Sequence, residues 1–160
     1  MAKQEVKNYI RLDKIKTTAH IESIVDEENA ILNGLHVVLG DVIDSSQGEE
    51  MSFTVAEEGG EYDAFVASVY LTHGQAEGDI LYESIEAGRP ARAIIPEKGN
   101  IISINAELAE GVSKGDDVAV GPNGLGYKVA GEGDVVVGRA IDTNVLREVG
   151  NLVVIRLENA

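Results

Sequence analysis

The chain has 160 residues, a formal net charge of −15, 44% hydrophobic but only 4% aromatic residues, and neither Cys nor Trp. That length suits one domain or two small ones sharing a core, which must be built from Val, Ile, Leu and Ala. Without thiols there are no disulfides or thiolate metal sites. The negative charge argues against a nucleic-acid surface, which needs clustered Lys and Arg, and no apolar run approaches the ~18 residues of a membrane span.

Residues 1–30 read as an N-terminal arm followed by a short helical segment. The opening MAKQEVKNYIRLDKIK lacks the apolar stretch of a secretory signal, so a soluble protein made in a cytoplasm is expected. Residues 1–16 carry five basic side chains, Lys3, Lys7, Arg11, Lys14 and Lys16, against two acidic ones. The rest of the chain holds eight basic and 26 acidic residues, so a +3 segment precedes a −18 body. Two readings stay open: a solvated terminus, or an arm laid on an acidic surface of another copy or a partner. On the second, Ala2–Lys16 is mobile in the free protein. Ala19–Glu28 is predicted as a helix of a turn or two, led by Thr17 or Thr18 as N-cap.

From residue 31 onward, short β-branched runs alternate with glycine turns, the pattern of an all-β sandwich or barrel. Predicted strands are Leu35–Leu39, Ser52–Ala56, Ala64–Leu71 and Ile80–Glu83, then Arg92–Ile95, Ile101–Ile104, Asp117–Val120, Tyr127–Ala130, Val135–Asp142 and Leu152–Leu157. The last, LVVIRL, is apolar enough to be covered on both faces. Glu83–Ala87 and Ala106–Glu110 are single-turn helices at most. The fold class is therefore all-β with few short helices. A first β-unit spans 31–87 and a second 88–160, with a seam at Glu86–Asn100. NGLHVVLG, FTVA and GEYDAFVASVY in the first unit match SKGDDVAVG, YKVA and GEGDVVVGRAI in the second. Duplication and chance likeness of Val- and Gly-rich stretches are both open.

The residues offer little for catalysis. His36 lies in an alternating strand pattern and reads as a strand residue rather than a base. His73 lies in a turn, and His20 follows TTA. No pair has metal-binding spacing. Asp116 with Asp117, and Glu57 with Glu58, read as solvated acidic loops. GPNGLGYK lacks the GK[ST] ending of a phosphate loop and reads as a β-turn with Pro122 at its second position. No catalytic residue, metal or cofactor is assigned.

The pieces GRPARAIIPEKGNIISI, SKGDDVAVGPNGLGYKV, VVVGRAID and NLVVIRLE resemble, in that order, the decoration (cement) proteins of tailed-phage capsids. The likeness covers Gly88 to the C-terminus best and Asn33–Tyr82 loosely. It implies a compact β-fold, made in the host cytoplasm, that forms a homotrimer and binds the major capsid protein on the outer surface of the virion. It would bind near three-fold positions and stabilise the mature shell, with no catalytic activity. It also implies an arm that contacts the capsid, for which Lys3, Lys7, Arg11, Lys14 and Lys16 are the candidates. Alternatives are another phage component, in tail or neck, or a carbohydrate-binding or adhesion β-module, which the scarcity of stacking aromatics weakens.

Overall fold

Runs of Val and Ile in this chain are mostly too short to make a helix, and each is closed by a residue that can turn. The computed structural model describes residues 7–15, 20–43, 50–67, 84–146 and 150–158. It contains β1 (Ile10–Lys14), β2 (His20–Ile24), β3 (Ile31–Leu32), β4 (His36–Val42), β5 (Glu50–Val55), β6 (Ala64–Val66), β7 (Ser84–Ile85), β8 (Ala91–Ile95), β9 (Ile101–Asn105), β10 (Asp117–Val120), β11 (Tyr127–Val129), β12 (Gly138–Leu146) and β13 (Gly150–Leu157). Among the described residues, helix is confined to short 3-10 turns such as Ala106–Leu108 and Pro122–Gly124. With 52% strand and 5% helix, the protein is all-β as expected.

The strands form a closed barrel, ordered β2-β5-β4-β6-β8, and an open six-stranded sheet, ordered β1-β9-β13-β12-β10-β11. Strands β3 and β7 make a small separate pair. Read from β5, the barrel runs β5-β4-β6-β8-β2. Read from β11, the sheet runs β11-β10-β12-β13-β9. Numbered within each unit, both follow the same strand order, and neighbours along that order are antiparallel in both. The two differ at closure. In the first, β2 pairs in parallel with β5; in the second, β9 pairs instead with β1, and the sheet stays open. The matching strands span 20–95 and 101–157, so β8 belongs to the barrel and the change of sheet falls across residues 96–100.

Two packing clusters hold these layers. Ile24, Ile31, Val37, Ala64, Val66, Ile85, Ala91 and Ala93 fill the barrel. A larger cluster lies under the open sheet and includes Ile102, Ile104, Val118, Val153, Ile155 and Leu157. Strands β6 and β8 serve both, because successive side chains point to opposite faces. Ala64 and Val66 face the barrel while Phe65 joins the larger cluster; Ala93 and Ile94 divide likewise. A wall buried on both sides explains why AFV carries no polar alternation. LVVIRL is the central β13, between β9 and β12, with Leu152, Ile155 and Leu157 buried and Arg156 exposed.

Two expectations for the first 30 residues are corrected. Ala19–Glu28 is no helix: β2 runs antiparallel to β8 from His20↔Ile95 to Ile24↔Ala91. A helix so short gains little alone, whereas barrel closure buries Ile24 and Val25. Thr17 and Thr18, the expected N-caps, lie outside the described residues; further on, Asp26 Oδ1 accepts the N–H groups of Glu28 and Asn29 at 2.9 and 3.0 Å and forms a turn. Hydrogen bonding from these N–H groups lowers the Asp26 pKa, against a smaller effect of burial. Nor is Ala2–Lys16 mobile throughout. Residues 10–14 pair along β9, with Ile10 buried and Leu12 against the larger cluster. Of the remaining expectations, Ile80–Glu83 lies outside the described residues, and the described part of Glu83–Ala87, from Ser84 on, holds β7 and the start of a turn.

Candidate functional site

The basic residues of the N-terminus do not form one loose patch. Lys3 and Lys16 lie outside the described residues. Lys7 Nζ stands 3.1 Å from Glu107 Oε1, and Arg11 binds Asp13 along its own strand and reaches Ser103 Oγ at 3.3 Å. Burial pushes the Glu107 carboxyl up, but hydrogen bonds from Asn105 and Lys7 outweigh it and hold it below its ordinary range. Lys14, at the end of β1, is exposed and sits opposite Ile101.

Across the open sheet the register builds something the chain order hides. Ile101 faces Arg156, and Arg156 faces Arg139, which in turn faces Asp117. Lys14, Arg156 and Arg139 thus fall in one row on the outer face, all exposed on a protein of net charge −15. Arg156 Nη2 also lies 3.5 Å from Glu158 Oε1, an exposed contact. Sequence reasoning missed Arg139 and Arg156 because they are far apart in the chain and become neighbours only through the β12–β13 register. The row is a candidate docking surface for an acidic partner.

A second feature joins the two layers. His36 in β4 is fully buried, and its Nδ1 donates to Gly124 O at 3.1 Å. The rings of Tyr62 and Tyr127 meet it edge-on, with centroids at 4.7 and 4.8 Å. Burial depresses the His36 pKa to about 4, opposed by the bond to Gly124, and raises both tyrosine hydroxyls above their usual value. His36 is therefore a neutral packing residue, as its strand pattern implied. Backbone bonds of the 121–126 turn complete the joint: Gly121 N–H donates to Gly126 O at 3.0 Å and Gly124 N–H to Gly121 O at 3.1 Å, with Pro122 second in the turn and Asn123 at φ 58°. Gly126 N–H then reaches Gly34 O at 3.0 Å in the barrel. Only glycine suits position 126, where φ is +68° and a Cβ would lie 2.1 Å from Leu108 O. A second strap runs from Gly59, whose N–H binds Val120 O at 2.9 Å and whose carbonyl accepts Val135 N–H at 2.8 Å.

Other candidates are modest. Asp116 accepts Ser113 N–H at 2.8 Å as a turn residue, and Glu58 stands 3.5 Å from Lys128, which also pairs with Asp134 at 3.1 Å. A cleft of about 360 Å³ between the Ala106–Leu108 and Pro122–Gly124 turns is lined by Glu107, Glu110, Tyr127 and Lys128 among others. Among the described residues no three His, Cys, Asp or Glu gather as metal ligands, and no helix is long and apolar enough to cross a membrane. His20 lies in β2, and His73 lies outside the described residues.

The architecture defined by these elements is a closed five-stranded barrel strapped to an open sheet of matching strand order. Among solved structures it is similar to the N base of the head fiber gp8.5 of bacteriophage phi29, with a TM-score of 0.53, 13% identity, and coverage of 88% of this chain and 93% of that one. At that identity the likeness is one of fold. No family model and no curated protein matches the chain.

Proposed function

We propose that the chain is a non-catalytic structural protein of a phage head, docked as a homotrimer on the outer capsid surface near three-fold positions, where it stabilises the mature shell. The observation that carries this reading is the fold likeness to a phage head-fiber base over 88% of the chain. The decoration-protein resemblance of Gly88 to the C-terminus agrees with it. The cationic row of Arg139 and Arg156, with the basic N-terminal residues, is the surface offered to the major capsid protein. The remaining negative charge keeps undocked copies dispersed. A protein that binds the mature lattice but not the unexpanded one stabilises the former by linkage, and small contributions sum over many sites.

Co-sedimentation with mature and unexpanded shells of the phage that carries the gene tests this. Saturable binding to mature shells is expected, weakening with salt because exposed charges are screened beyond ~8 Å at physiological ionic strength. The double variant Arg139→Glu, Arg156→Glu should bind more weakly while keeping the wild-type sedimentation coefficient. Absence of binding to either shell at micromolar protein in low salt overturns the reading.

A further inference from the structure

We infer that copies of this chain join edge to edge, β1 of one copy adding as a strand beside the distal half of β12 in the next. This rests on the homotrimer of the proposed function and supplies its interface.

Both edges are open among the described residues. Strand β1 ends the sheet and pairs only with β9. On the opposite edge, β10 pairs with β12 only at Gly138 and Arg139. Asp116 carries the hydrogen bonding one residue further, to Ala140. Beyond that, β12 continues to Leu146 beside β13 alone. The N–H groups of Thr143 and Val145, two residues apart and so on one side of the strand, are held at 2.8 Å by the side-chain oxygens of Asp142 and Asn144. Those are stopgap bonds made within the strand itself, at positions where a neighbouring strand's carbonyls would bind. Val145 is 69% exposed, the most exposed of the large apolar side chains among the described residues. An open edge beside an exposed Val is a template for strand addition.

Direction and register both fit. Strands β12, β13, β9 and β1 alternate in direction, so β1 runs antiparallel to β12. Rotation about an axis parallel to the strands preserves that relation and delivers the next copy's β1 antiparallel to β12. Strand β1 already carries a bulge between Leu12 and Lys14 that fits it to Ile101, Ile102, Ser103 and Ile104. The same geometry fits Asp142, Thr143, Asn144 and Val145. Lys14 then faces Asp142, Arg11 faces Asn144, and Ile10 faces Val145. The faces agree, because Thr143 lies opposite Val153, Val153 opposite Ile104, and Ile104 opposite Ile10. Pairing like edges about a two-fold axis would instead bring the cationic Arg11 and Lys14 of two β1 strands together, or two Asp142 carboxylates, which is less favourable than setting Lys14 against Asp142. The favoured contact is therefore head-to-tail, which closes into a ring when the rotation from copy to copy is a whole fraction of a turn.

The experiment uses the natural absence of cysteine. Full-length Lys14→Cys, Asp142→Cys protein is oxidised and run on non-reducing gels, with each single variant as control. Cross-linked species ending at a closed ring are expected from the double variant, and nothing beyond dimer from either single one. In parallel, sedimentation equilibrium compares wild type with Val145→Asp, whose side chain is solvent-exposed in one copy and so leaves folding unchanged. Its self-association should weaken at least ~tenfold. Lys14→Asp and Asp142→Lys should each weaken association, and together restore it. A wild type that stays monomeric, a double-cysteine protein that does not cross-link while assembled, or a Val145→Asp protein that assembles normally overturns the inference. Each of these leaves shell binding, measured separately, free to stand.

Discussion

Acid should loosen the joint between barrel and sheet through His36. In the folded chain this imidazole is neutral, with a pKa depressed to about 4 from 6.5; in the unfolded chain it titrates normally. Between those values the unfolded state binds a proton that the folded state refuses, so stability falls as pH falls through this window and is fully present above it. The difference of 2.5 units corresponds to about 3 kcal/mol at 1.36 kcal/mol per unit. The two rings against His36 belong to Tyr62 and Tyr127, whose hydroxyls are shifted upward and stay neutral throughout. Carboxylates elsewhere also titrate on the acid side, so the test is a comparison. His36→Phe keeps a ring but cannot charge, and it leaves the Gly124 carbonyl without its donor, a loss of ~1–3 kcal/mol at neutral pH. Urea unfolding of both proteins from pH 7 to pH 4 should show the wild type losing about 3 kcal/mol more than the variant. Equal losses would refute the argument.

Three further outcomes follow from the packing. Phe65→Ala, in the wall shared by both clusters, should cost ~3–5 kcal/mol and lower the denaturant midpoint, while unfolding remains a single transition by both fluorescence and circular dichroism. Gly126→Ala should destabilise by more than the ~1–2 kcal/mol of a left-handed backbone alone, because the added Cβ meets Leu108 O; an unchanged melting temperature would contradict this. Removing residues 2–16 deletes β1 with buried Ile10, so it should cost at least the ~1.5–3 kcal/mol of burying one such side chain, read by urea unfolding.

What the sequence disclosed depended on whether the information was local. The strands β4, β5, β8, β9, β10 and β13 were legible because each is a β-branched run between turn residues, and PNGLG announced its turn by Pro122 and two glycines. Strands β1 and β2 were not. IRLDK and HIESI are short and polar, and their strand character comes from pairing with β9 and β8, far along the chain. The repeat pattern in NGLHVVLG and SKGDDVAVG caught only the middle strands of each unit, because β2 and β9 share no visible motif. The Arg139–Arg156 row was invisible for the same reason as β1: only register brings it together.

The shared strand order gives these misses a common cause. Two units of one topology meet different fates at one position. In the barrel, β2 closes onto β5; in the sheet, β9 takes β1 in the corresponding place. A polar N-terminal strand can be recruited there because half its work is done by the partner: Ile10 and Leu12 supply the inner face, and Arg11, Asp13 and Ser103 bond one another on the outer one. Recruiting β1 keeps the second sheet from closing, and that opening leaves the row of Lys14, Arg156 and Arg139 on an extended face rather than wrapped around a barrel. The segment that reads as a loose basic arm is, in the fold, the strand that keeps the second sheet open.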